Sequence, residues 1–145
     1  MSRTLPRPVR VYDLKAMAPI SVTLDRVEPP IGIVTLIGEH DDYSAPRLEN
    51  ELGLLLDEGL GVVIDLTDAT FVDSHVLSVL LTARHRAQKS RIGFTLALPT
   101  EPYTQVHRIL EITGLGSSFA VYPTLREAVA GARTGRNGGE RARAA

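Results

Sequence analysis

The residues in this chain whose types invite chemistry stand side by side. Asp73, Ser74 and His75 put a carboxylate, a hydroxyl and an imidazole in the stretch FVDSHVLSVLL, where a hydrophobic strand region gives way to a helical pattern. Three readings are open: a catalytic cluster, a phosphate-accepting serine, or the capped start of a helix. A serine-protease-like triad is the weakest of them. Successive side chains at a helix start diverge by roughly 100°, so three consecutive residues do not aim at one reacting atom. No G-x-S-x-G elbow surrounds Ser74 either.

Metal chemistry finds little support. His40, Asp41 and Asp42 are adjacent and His75, His85 and His107 lie elsewhere, but none shows H-x-x-x-H spacing or another closed ligand set. These histidines read as solvated loop or helix residues. With no cysteine in the chain, disulfides, thiolate nucleophiles and cysteine-ligated zinc are excluded. There is no Walker A or G-x-G-x-x-G loop, which leaves a nucleotide-binding protein as a distant alternative, and nothing in the sequence calls for a cofactor.

Two readings of the cluster remain. Asp73 at an N-cap would accept the backbone N–H groups of the following turn. A serine just inside that turn has a second property: a phosphate placed there meets N–H donors and the positive end of the helix dipole.

The elements that must position this cluster follow from spacing. ISVTLDRV, from Ile20, alternates apolar and polar residues as a half-buried strand does, EPP interrupts it, and GIVTLIG (32–38) resumes extended character, so the two form an antiparallel hairpin. Ser44 is the expected N-cap of a helix with Pro46 in its first turn and Leu48, Leu52, Leu55 and Leu56 on one face, stopped by Gly59. GVVIDL (61–66) is an apolar run suited to a central parallel strand. Residues 74–90 form the next helix, its first half apolar nearly all round, with Arg84, His85, Arg86, Gln88 and Lys89 returning it to water.

GFTLALP follows as a strand with Phe94, Leu96 and Leu98 on one face. EPYTQVHRILEITG is a helix ended by Gly114, and FAVY (119–122) is a last strand. Thr124 and Glu127 have capping-box spacing for a final helix ending near Ala132. Strands alternating with helices predict an α/β domain: a mixed, mainly parallel sheet of about five strands with about four helices.

Length and charge set the outer bounds. A chain of 145 residues, 43% of them hydrophobic, supports one domain. The formal net charge is −1, but residues 1–10 and 131–145 each carry +3, so the interior is acidic and direct nucleic-acid binding is not expected. No apolar run reaches the roughly 20 residues that span a bilayer, and the N-terminus lacks a secretory pattern, so a cytoplasmic protein is expected. Residues 1–17 read as an N-terminal extension and 133–145, GARTGRNGGERARAA in its wider context, as a disordered tail.

One resemblance joins these observations. VVIDLTDATFVDSHVLSVLLTARHRAQ resembles the central strand, loop and helix of STAS domains, especially single-domain anti-sigma factor antagonists with their Asp-Ser-Ser-Gly-Leu motif, here Asp73-Ser74-His75-Val76-Leu77. Gly38-Glu39-His40-Asp41 resembles the family's Gly-Glu-Leu-Asp turn, and Val106 through Leu115 its late helix and Gly-Leu exit. The likeness covers roughly residues 18–132. It implies a non-enzymatic, protein-binding regulator in which Ser74 is the phosphoacceptor of an anti-sigma factor serine kinase and a phosphatase resets the switch. Asp73, Ser74, His75 and Val76, with Asp41, Asp42 and Tyr43 on a neighbouring loop, are the implied partner-binding residues. His75 and Val76 stand where the family pattern has serine and glycine. The alternative is a STAS-type partner-binding or scaffold module that is not phosphorylated, and self-association is open in either case.

Overall fold

The structure is a computed structural model that describes residues 20–138. The expected extension 1–17 and the end of the expected tail lie outside the described residues. In chain order the elements are β1 (Ile20–Asp25), β2 (Ile31–Leu36), β3 (Gly38–His40), α1 (Ala45–Asp57), β4 (Gly61–Asp65), β5 (Ala69–Val72), α2 (Ser74–Lys89), β6 (Phe94–Ala97), α3 (Gln105–Thr113), a short 3-10 turn (Leu115–Ser117), β7 (Ala120–Tyr122) and α4 (Leu125–Arg133).

The main sheet has strand order β1-β2-β4-β6-β7. β1 and β2 pair antiparallel from Ile20–Leu36 to Asp25–Ile31, while β2, β4, β6 and β7 run parallel. This is the expected architecture, with the first strand as the antiparallel member. β4 earns its central place by composition: Gly61 through Ile64 are buried, and its successive side chains enter two different cores. Val62 and Ile64 join the larger core beneath α1 and α2, together with Leu52, Leu56, Leu80, Phe94 and Leu96. Val63 turns to the other face and packs with Ala97, Ala128 and Ala132 under α4.

Three local expectations need correction. The stretch 32–38 is not one strand, because Gly38 takes φ 78° and turns the chain into β3. β3 pairs parallel with β5 in a small second sheet that the sequence did not announce; strands of three and four residues carry too little periodicity to read. Ser44 occupies the N-cap position of α1 but makes no side-chain cap, its hydroxyl lying 3.0 Å from His40 Nδ1.

The third correction concerns the tail and Arg84. α4 runs through Arg133, and the chain stays packed beyond it: Phe94 N donates to Arg136 O, and Asn137 is buried. Arg84, expected in solvent, is 8% exposed and donates from Nε to Asn137 O at 2.9 Å. A tail carbonyl thus provides the partner that a buried guanidinium requires. Among the described residues no helix is long and apolar enough to cross a membrane.

Candidate functional site

Ser74 is the first residue of α2 and is exposed. The local sequence dictates this placement. Asp73, extended at φ −97° and ψ −179°, caps the helix as its Oδ1 accepts from Val76 N at 2.9 Å, and Asp73 O accepts from Leu77 N. Such a cap contributes about 1 kcal/mol to helix stability. The Ser74 and His75 N–H groups precede the first intrahelical bond, so they lie in the turn where the helix dipole is positive.

The chain entering the cap, Val72 and Asp73, is held from both sides. Asp73 N donates to His40 O in β3 at 3.2 Å. On the opposite edge the Gln105 side chain takes the place of a neighbouring strand: its Oε1 accepts from Val72 N at 2.9 Å and its Nε2 donates to Val72 O at 3.0 Å. Gln105, the first residue of α3, therefore fixes the chain two residues before Ser74. Nothing in the sequence pointed to it, since the pairing spans 33 positions and a glutamine at a helix start has no distinctive spacing.

The β3–α1 loop lies beside this helix start. His75 Nδ1 and Asp42 Oδ1 are 2.8 Å apart, joining the two loops across an exposed surface. Asp41 shapes its own turn: its carboxylate accepts from Tyr43 N at 3.0 Å, and its carbonyl accepts from Ser44 N and Ala45 N. Tyr43 is 71% exposed. The structure thus brings Asp73, Ser74, His75, Asp41, Asp42 and Tyr43 to one accessible region at the C-terminal end of the parallel strands.

Val76 is the exception. It is 0% exposed and belongs to the main core, so it offers no surface to a partner. Two residues past Ser74, at roughly 100° per residue, the helix has turned inward. The stiff β-branched side chain fills space beneath the cap instead.

The histidines also depart from expectation. His40 is 1% exposed, with Nε2 3.1 Å from Ile37 O and Nδ1 3.0 Å from Ser44 Oγ. A carbonyl can only accept, so Nε2 carries the proton and the ring joins the two ends of its loop. His107 likewise works internally: its Nδ1 accepts from Thr104 N at 3.0 Å in a capping box, and its Nε2 donates to Pro99 O at 2.8 Å. Tyr103 stacks on His107 and donates its hydroxyl to Glu111 Oε1 at 2.7 Å, a bond that raises the phenol pKa above its ordinary value. Of the four histidines, His75 and His85 are exposed. Among the described residues no cluster of His, Asp and Glu could hold a metal ion.

In its geometry the site presents an accessible hydroxyl at a capped helix start with carboxylates around it. Comparison with known proteins gives it a family. The STAS domain model matches residues 23–128. The anti-sigma-F factor antagonist RsfB of Mycobacterium tuberculosis is 29% identical over 122 residues, covering 82% of this chain and 96% of that protein. An anti-sigma factor antagonist from Mycobacterium paratuberculosis superposes with a TM-score of 0.64 at 28% identity, over 79% of this chain and 94% of its own. The phosphorylated form of SpoIIAA from Bacillus shares the fold, with a TM-score of 0.55 at 18% identity over 76% of this chain and 97% of that one. The motifs around Ser74, the order of the strands and the extent of these matches agree: this chain belongs to the STAS domain family.

Proposed function

We propose that this protein is an anti-sigma factor antagonist that docks through the Ser74 end of its sheet on an anti-sigma factor serine kinase, and that phosphorylation of Ser74 ends the docking. The observation that carries the reading is the exposed hydroxyl at the first residue of α2, held in place by Asp73, Gln105 and β3. The similarity to named anti-sigma factor antagonists supports the choice of partner.

The chemistry asks little of this chain. Ser74 Oγ forms a bond to the γ-phosphorus of ATP as the bond to the ADP oxygen breaks, and the hydroxyl proton passes to the kinase's base. The kinase holds the nucleotide and its metal; this protein supplies a positioned acceptor. A phosphatase returns the serine. The role places the protein in the cytoplasm, where such partners meet.

The effect of the phosphate is local. It adds about −1.5 to −2 charges and three acceptor oxygens beside Asp73, Asp41 and Asp42. A partner seated there must then desolvate that anion, and a cost of about 3 kcal/mol weakens docking more than a hundredfold. The fold need not move, because the modified oxygen already faces outward.

One observation favours a second reading, a STAS module that binds its partner without being phosphorylated. His75, the residue after Ser74, is engaged with Asp42, where the related motif carries a small residue, so a partner meets a bulkier surface next to the serine. A single experiment separates the two. The protein is incubated with purified anti-sigma factors of its organism and Mg-ATP, and the modified residue is mapped by mass spectrometry. One phosphate on Ser74, absent from Ser74→Ala, is expected, with Ser74→Glu losing binding. Phosphate elsewhere with Ser74 untouched, or equal binding by Ser74→Ala and Ser74→Glu, removes the switch.

A further inference from the structure

Below the Ser74 region, α1 and α2 run side by side and leave an open groove between them. Leu52, Leu56, Val79 and Ala83 line it, with Glu49 and Arg86 also at its walls. Val79 lies five residues past Ser74 on the same helix, so the groove begins roughly 8 Å along the axis from the hydroxyl. It continues the docking surface proposed above.

A second observation singles out this groove. Gly53 lies in the interior of α1, in ordinary helical conformation, and a Cβ built on it meets nothing within 4 Å. Glycine inside a helix is unfavourable relative to alanine because it loses more backbone freedom on folding. Other glycines here have an internal reason: a Cβ on Gly93 would lie 2.0 Å from Ala132 O, and one on Gly32 would press on the Leu55 side chain. Gly53 has no such neighbour within the chain. What its missing side chain preserves is the width of the groove.

The surroundings define what fits. Of the residues lining the groove Glu49 and Arg86 carry charge, and Arg86 is engaged with Asp57, so the charge left facing a partner is that of Glu49. We infer that the α1–α2 groove around Gly53 receives an apolar side chain of the anti-sigma factor, flanked on that partner by lysine or arginine. Apolar contact with the parts of Leu56, Val79 and Ala83 that open into the groove supplies affinity, and Glu49 selects a cationic neighbour. This inference rests on the proposed function and adds a second contact point to it, independent of the serine.

The test measures binding of the full chain to its anti-sigma factor by calorimetry, with thermal unfolding of each variant alongside. Gly53→Leu fills the groove and is expected to lower affinity about tenfold or more while the protein stays folded. Gly53→Ala is expected to raise Tm by about 4 °C through helix propensity, yet to weaken binding measurably. A stabilised variant that binds less well is a result that a purely structural glycine does not give. Glu49→Lys is expected to slow association, most at low ionic strength. Arg126→Leu, on exposed α4, serves as the control and leaves binding unchanged.

If the wild-type protein binds and Gly53→Leu binds within threefold of it, the groove is not a contact and the proposed function stands without it. If Gly53→Leu alters self-association instead, the occupant is a second copy of this chain and the inference is overturned. If no anti-sigma factor of the organism binds the wild-type protein, both readings fall together.

Discussion

The two ends of the central sheet are built with the same devices and put them to opposite use. At the N-terminal end of the parallel strands, polar contacts tie distant segments to one another, from the surface inward. Arg133 donates to the Val27 and Pro29 carbonyls and pairs with Asp25 at 3.0 Å, while Arg84 reaches Asn137 in the interior. The C-terminus of α4 comes so close to the start of β6 that Gly93 admits no side chain. At the other end, Gln105, His40 and Asp73 also bridge distant segments, but what they hold is an exposed hydroxyl with carboxylates around it. Polar contacts between segments contribute to the fold, whereas the carboxylates around Ser74 keep their charge in water, available to something else.

The comparison makes predictions that diverge between the ends. The largest effect on folding is expected at the N-terminal end of the strands. Gly93→Val forces a side chain into the Ala132 carbonyl and should cost roughly 3 kcal/mol or more in urea unfolding, in the range of severe overpacking, with binding of the folded fraction unchanged. Equal stability of this variant and the wild-type protein would mean that the close approach of α4 is not real.

Gln105→Leu is the next in size. It strips both partners from Val72 and should destabilise by about 1–2 kcal/mol. Hydrogen exchange ought to accelerate at Val72 and Asp73 before it does so in β4. Uniform acceleration across the sheet would show that Gln105 supports the whole fold and not the serine's approach.

Asp73→Ala should cost about 1 kcal/mol through loss of the cap, and Asp73→Asn should recover most of it. If Asn restores stability but not phosphorylation, the carboxylate has a role toward the kinase beyond capping. The smallest effect belongs to His75→Ala, expected to change stability by less than about 0.5 kcal/mol because its pair with Asp42 is solvated on both sides. Its consequence should appear in partner affinity instead, and a large stability loss would place this exposed pair among the fold's own contacts.

Much of the fold was legible because it is local. The apolar run at 61–66 marked the central strand, and Phe94, Leu96 and Leu98 share the face that spacing gave them. Asp73 capped the helix it was expected to cap, and Gly114 ended α3 in the left-handed conformation. The site was legible only in part. Val76 belonged to the motif by sequence yet faces the core, and His40, read as a loop residue, is enclosed by its own turn. Arg84 looked like the polar end of an amphipathic helix until residue 137 returned to cover it.

The sequence alone determined which segments extend, which coil, and that Ser74 opens a helix, because each depends on side chains within a few positions of one another. Only the tertiary structure decided that Gln105 would stand against Val72, Asp42 against His75 and Arg133 against Asp25, pairings separated by 33, 33 and 108 positions. Such contacts depend on the path of the whole chain. They arise once the hydrophobic faces of several helices have found the same sheet, and no short stretch carries that information.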